Sequence, residues 1–103
     1  MISVKNKVVI VTGASRGIGK AIALLFAGEG AKLVLASRHK KFLVKVAGQI
    51  QRQNGEALAV SCDVTIESNI KKLVKKTLTA FGRIDILINN AGLGIRKPIL
   101  EFT

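Results

Sequence analysis

The chain has 103 residues, 49% hydrophobic and 22% charged, which fits one globular domain and excludes a disordered chain. Its 17 Lys and Arg against 6 Asp and Glu give a formal charge of +11. That excess favours anionic partners (phosphates, nucleic acid, acidic proteins, anionic membrane surfaces) without choosing among them. The single cysteine, Cys62, excludes an internal disulfide and a cysteine-based metal site, and its apolar run reads as a buried, inert thiol. No run of about 18 apolar residues is present to span a membrane. The opening MISVKNK is too short and polar for a signal peptide, so a cytoplasmic location is the expectation.

In chain order, KVVIVT (residues 7–12) reads as a first strand. A glycine-bearing turn follows, then a helix with Ile18, Ile22, Leu25 and Phe26 on one face and Gly28 and Gly30 as its stop. KLVLAS (32–37) is the second strand. Phe42, Val46 and Ile50 stripe a second helix, closed by Asn54 and Gly55. ALAVSC (57–62) is the third strand. Ile66, Ile70, Leu73, Val74, Leu78 and Phe81 make the third and clearest stripe, with Thr65 as predicted N-cap and Gly82 as predicted C-cap. IDILIN (84–89) is the fourth strand, and Pro98 is expected to open a turn or the next helix. Near-continuous apolar runs of this length suit strands buried on both faces of a parallel sheet. The β-α-β-α-β-α-β order therefore predicts an α/β fold with right-handed crossovers, a doubly wound sheet or one part of one. No repeat, linker or low-complexity tract divides it.

The stretch VTGASRGIG (11–19) carries the first functional signal. It places a glycine turn between a strand and a helix, where backbone N–H groups and the helix dipole favour phosphate. Gly13 turns the chain off the strand, Gly17 removes a Cβ where a pyrophosphate would approach, and Gly19 lets the helix pack closely. The absence of a Gly-Lys-Ser/Thr ending argues against a nucleoside triphosphatase. The bland alternative is a glycine-rich turn that binds nothing.

TGASRGIG resembles the Thr-Gly-x-x-x-Gly-x-Gly cofactor motif of the short-chain dehydrogenase/reductase family. NNAG (89–92) is similar to that family's second signature at the end of the fourth strand, and CDVT (62–65) to the pattern after its third. The three motifs occur in the family's order and cover the whole chain. The resemblance implies a Rossmann-type dinucleotide-binding domain over residues 1–103 with a partial sheet. It implies that Gly13, Ser15, Gly17, Ile18 and Gly19 line the diphosphate and its ribose, and that Asp63 and Val64 meet the adenine edge. It places Asn90, Ala91 and Gly92 along the adenosine ribose, with Thr12 and Asn89 mainly structural. Asp63 can equally serve as a cap on the following helix.

NAD-binding sites of this type carry Asp or Glu at the end of the second strand, bonded to the ribose 2′-OH. Here Ser37, Arg38 and His39 stand there, and no carboxylate lies between Glu29 and Glu56. Arg38, with Arg16 closing from the turn, can bond a 2′-phosphate, so the expected cofactor is NADP(H). The alternative is that both arginines are ordinary surface cations; His39 reads as a solvated helix-start residue. Lys71, Lys72, Lys75 and Lys76 read as a solvated face, since Tyr and Trp are absent to stack bases.

The family's Tyr-x-x-x-Lys motif and catalytic serine, which the resemblance places after the fourth strand, have no counterpart, and the chain has no tyrosine. The expectation is the NADP(H)-binding portion of a truncated reductase, inactive alone, whose parent transfers hydride to a ketone or 3-oxoacyl group. Two alternatives stay open: a non-catalytic NADP(H)-binding module, and a basic interaction protein for nucleic acid or an acidic carrier. With no strand beyond residues 84–89, self-association through that apolar edge is expected.

Overall fold

Side chains alternate across a strand, so a strand apolar at every position needs cover on both sides. In the computed structural model, which describes residues 3–90, that cover is supplied by helices. The elements are β1 (Val8–Thr12), α1 (Gly17–Gly28), β2 (Lys32–Ser37), α2 (Lys40–Arg52), β3 (Glu56–Ser61), α3 (Glu67–Phe81) and β4 (Ile86–Ile88). The four strands form one parallel sheet in the order β3-β2-β1-β4. Val9, Val11, Leu33 and Leu35 join Ala23 of α1 and Leu43, Val46 and Ile50 of α2 in one core cluster. Val8, Ile10, Val34 and Ala36 point the other way, to Val60, Cys62 and Leu73 of α3. This is the expected Rossmann-type α/β architecture, with β1 and β2 as its buried centre.

The helices bury only part of the faces the apolar spacing suggests. In α1, Ile18 is 71% exposed and Leu25 62% exposed, while Gly19 and Ala23 are buried. Ile22 and Phe26 of the predicted stripe, with Leu24, do pack against the core cluster that holds Ala23, so α1 buries part of that face. In α2, Phe42 is exposed and Leu43 is buried in its place. On α3, Leu73 and Thr77 are buried, but Ile66, Ile70, Val74 and Leu78 are exposed, so the clearest stripe in the sequence is the least covered. Lys71, Lys72, Lys75 and Lys76 are exposed as expected.

Helix ends follow the same mixture. Gly82 closes α3 in the left-handed region (φ 77°), and its N–H donates to Leu78 O at 2.8 Å. Thr65 is not the N-cap: that position is Ile66, with no side-chain cap bond. Thr65 is instead engaged by Asp63, whose Oδ1 accepts from the Thr65 N–H (2.9 Å) and Oγ1 (2.6 Å). Pro98 and its expected turn lie outside the described residues.

β3 starts and ends one residue before the predicted span, and β4 is three residues instead of six. A side chain explains where β4 begins. Asp85 N donates to Val8 O at 2.9 Å, while Asp85 Oδ2 accepts from Val8 N at 2.9 Å, so a carboxylate takes one ladder position. Arg83 holds the other oxygen through Nη2 at 2.7 Å and Nε at 3.1 Å. The Arg83 bonds lead in holding the Asp85 carboxyl below its ordinary value, with the Val8 N–H and the charges of Arg83 and Lys7 adding to them.

Asp85→Ala leaves the N–H of buried Val8 without this acceptor and is expected to cost about 1–3 kcal/mol, read from the urea midpoint. Asp85→Asn, which still accepts, should lose less. Because the folded-state pKa is lowered, the carboxylate's contribution is complete above the unfolded value of about 3.9 and is lost as pH falls through the lower, folded value. Acid unfolding of Asp85→Asn should therefore be shallower in that window. Equal acid profiles for the variant and the parent chain would refute the assignment.

Candidate functional site

The site forms where β1, β2 and β4 end on the same side of the sheet. The chain leaves β1 at Gly13, which adopts φ 64°, and Ala14 N donates to Ala36 O at 3.2 Å, holding the turn against β2. Gly17 opens α1 at φ 61°, and the space its Cβ would take has no atom within 4 Å. Gly19 is the opposite case: a Cβ there would overlap the Gly13 carbonyl and stand 2.6 Å from Asn90 Nδ2. One glycine keeps the turn open above, and the other keeps helix and turn in contact below. The first turn of α1 has no acidic residue, and its N-cap, Arg16, makes no side-chain cap bond. Among the described residues no N-cap side chain takes its leading N–H groups, which lie at the positive end of the helix.

The β2 end is tied to this turn. Ser37 Oγ donates to Ser15 Oγ at 3.2 Å and accepts from His39 N at 3.0 Å, and both serines are buried. At β4, Thr12 Oγ1 accepts from Asn90 N at 2.8 Å and lies 3.1 Å from Asn89 Oδ1. Asn90 Nδ2 reaches Gly13 O at 3.4 Å. Thr12 and Asn89 thus fix the β1 and β4 ends together, the structural role expected of them.

A cleft of about 340 Å³ results, lined by Gly13, Ser15, Arg16, Gly17, Ser37, Arg38, His39 and Asn90. Seven of these are predicted site residues; His39, read from the sequence as a solvated residue at a helix start, joins them. The lining holds two arginines and no carboxylate. Ile18 and Gly19 belong to the first turn of α1, Ile18 exposed and Gly19 beneath the turn. Asp63 and Val64 are not in the lining. Val64 packs on the α3-side core. Asp63 is bonded to Thr65, and those bonds lead in lowering its pKa, with the Arg38 charge assisting. Ala91 and Gly92 lie outside the described residues. Cys62 is buried, and burial first, then the Asp63 charge, pushes its thiol up, as suits an inert side chain. A larger hollow of about 460 Å³ lies between β3 and α3, on Leu58, Lys72, Lys75, Lys76, Thr79 and Ala80, with no glycine turn or helix start beside it. No described helix is long and apolar enough to cross a membrane.

A parallel sheet with a glycine turn after β1, and a cleft where β1, β2 and β4 end, defines the Rossmann class of nucleotide-binding folds. Within it, the chain belongs to the short-chain dehydrogenase family, whose sequence profile matches residues 7–103. It is 46% identical over 97 residues to an uncharacterized oxidoreductase of Listeria monocytogenes, covering 94% of this chain and 39% of the relative. It is 42% identical over 96 residues to the meso-2,3-butanediol dehydrogenase of Serratia marcescens, covering 93% and 38%. Among solved structures, a short-chain dehydrogenase/reductase of Burkholderia phymatum in complex with NAD superposes with a TM-score of 0.87. That pair shares 35% identity, over 91% of this chain and 34% of the other. A hydroxysteroid dehydrogenase of Escherichia coli superposes with a TM-score of 0.84 at 39% identity, over 86% and 38%. The chain spans about two fifths of the length of the relatives it matches.

Proposed function

We propose that the cleft holds NADP(H) and that the chain is the cofactor-binding part of a short-chain oxidoreductase. The observation that carries this is the meeting of Arg16 and Arg38 in one cleft with the α1 glycine turn, with no carboxylate in the lining. The space over Gly17 and the uncapped first turn of α1 suit a diphosphate. Arg16 and Arg38 take the ribose 2′-phosphate, which a carboxylate at the β2 end would repel. Asn90 follows the ribose in this reading, and the family resemblance supports Asp63 and Val64 at the adenine edge. A nicotinamide cofactor is supported by the family and by the NAD complex of the Burkholderia relative; the choice of NADP(H) rests on the arginines.

When bound, the nicotinamide supplies or accepts a hydride, and the parent reaction in this reading joins it to a carbonyl or alcohol carbon. Ketones and 3-oxoacyl groups are the proposed substrates, and the relatives' names, dehydrogenases of meso-2,3-butanediol and of a 7alpha-hydroxysteroid, fit a carbonyl/alcohol couple. The chain's own residues bind and orient the cofactor; without a tyrosine, none is assigned the proton transfer.

Calorimetric titration of the purified protein tests the proposal. NADPH should bind about ten- to a hundredfold more tightly than NADH, the range of a charged bond to arginine. Equal affinity for both would overturn the cofactor assignment.

A further inference from the structure

The sheet has an open edge at β3, which stands at the end of the order β3-β2-β1-β4 and pairs only with β2 among the described strands. Cys62 N donates to Ser37 O at 2.9 Å, so the backbone of Cys62 faces β2. Backbone groups that face one neighbour recur at every second residue, so Leu58 and Val60 face β2 as well, while Ala57, Ala59 and Ser61 face outward. The Ala57 carbonyl agrees: it accepts from a side chain, Gln51 Nε2, at 3.0 Å. The strand, EALAVS, carries neither proline nor lysine, the usual guards of such an edge.

The hollow of about 460 Å³ borders β3 on its α3 side. Leu58 and Ala80 form its apolar part, and Lys72, Lys75, Lys76 and Thr79 complete the lining, with no carboxylate among them. The three lysines are exposed, and none is in a salt bridge among the described residues; on α3 it is Lys71 that pairs, with Glu67 at 3.7 Å. We propose that the β3 edge and this hollow form a docking surface for an acidic, extended segment of another protein, which pairs with Ala59 and Ser61 as an added strand.

Strand addition draws affinity from main-chain hydrogen bonds and specificity from alternate side chains. A strand laid beside β3 presents every second side chain to the α3 side. An apolar side chain there meets Leu58 and Ala80, and acidic ones meet the lysines, whose aliphatic stems also cover apolar surface. Charge selects this occupant. A second copy paired edge to edge would bring two such lysine sets together, each on a chain of formal charge +11. Nucleic acid would meet the charge, but the lining has no aromatic ring on which to stack a base. Glu56 begins β3 and Asp63 follows its end, so the partner's acidic residues belong opposite the middle of the strand.

The probe is a blocked, labelled peptide of about seven residues, one strand in length, with Glu, Val and Glu alternating with Thr. Fluorescence anisotropy at constant low salt should show binding by wild type, and a peptide with Lys in place of Glu should not bind. Lys72→Gln combined with Lys76→Gln should weaken binding about three- to tenfold, the range of two exposed ion pairs. Unfolding midpoints check that this variant is folded. N-methylation of the peptide on its pairing edge leaves the protein untouched and should weaken binding at least about tenfold. Hydrogen exchange at Ala59 and Ser61 should slow when the acidic peptide is added. No binding of the acidic peptide, or binding indifferent to N-methylation and without protection of these amides, overturns strand addition. Equal binding by the lysine variant overturns the hollow's part in it. Protection of Ala59 and Ser61 in a dimer without peptide, or tighter binding of single-stranded DNA than of the peptide through the same lysines, overturns the choice of occupant.

Discussion

Alanine at Gly19 is expected to abolish nucleotide binding and to lower stability by about 3 kcal/mol or more, at the upper end of overpacking costs. The new methyl would overlap the Gly13 carbonyl, a backbone atom that cannot rotate away, and would stand 2.6 Å from Asn90 Nδ2. Relief requires α1 to move off the turn. That displaces the helix start from the cleft and breaks the Asn90 contact with Gly13. Gly28→Ala in the same helix is the control: its Cβ meets nothing within 4 Å, and Gly28 is not among the positive-φ glycines. Helical alanine in place of glycine should stabilise by up to about 1 kcal/mol. Urea midpoints and NADPH titrations on both variants decide the point. A Gly19→Ala protein that is as stable as wild type and binds NADPH would show that helix and turn are not in the contact described.

Replacing Arg38 with aspartate should reverse cofactor selectivity, moving the NADPH-to-NADH affinity ratio by about a hundredfold or more. On the proposed NADP(H) reading two effects act in one direction: a charged bond to the 2′-phosphate is lost, and a carboxylate that repels it is gained. The same carboxylate can accept from the 2′-OH of NADH. Arg38 is exposed, so the fold should tolerate the change. Affinities for both cofactors, measured at constant salt, provide the check. A ratio that stays on the NADPH side would assign the 2′-phosphate contact elsewhere.

Much of the fold was legible because its signals are local. Strands buried on both faces need apolar residues at every position, and 8–12 and 32–37 show such runs. Glycines that must adopt positive φ, such as Gly13, Gly17 and Gly82, also declare themselves in place. Parallel pairing followed from alternating helices and strands, since successive parallel strands need a crossover, whereas the order β3-β2-β1-β4 is what the family resemblance implies. Seven of the eight cleft-lining residues sit at strand ends or in the glycine turn, where the motifs point.

What periodicity did not determine was which part of each helix face is buried. Of the stripe Ile18, Ile22, Leu25 and Phe26, Ile22 and Phe26 pack against the core while Ile18 and Leu25 are exposed, and the fully buried positions of α1 are Gly19 and Ala23, small residues that let the axis come close. Likewise Leu43 took the place expected for Phe42. Asp63 engaged Thr65 before the latter could cap α3, and Asp85 replaced part of the β4 ladder, because side-chain acceptors compete with backbone ones. Thr12 reaches Asn90 across 78 positions, and Ser37 reaches Ser15 across 22. The sequence by itself determined the elements, their order and the glycine turn, all set by neighbours along the chain. Only the tertiary structure decided which helix faces are buried and that His39 joins Arg16 and Arg38 in one cleft, because those outcomes depend on contacts between segments that no local pattern encodes.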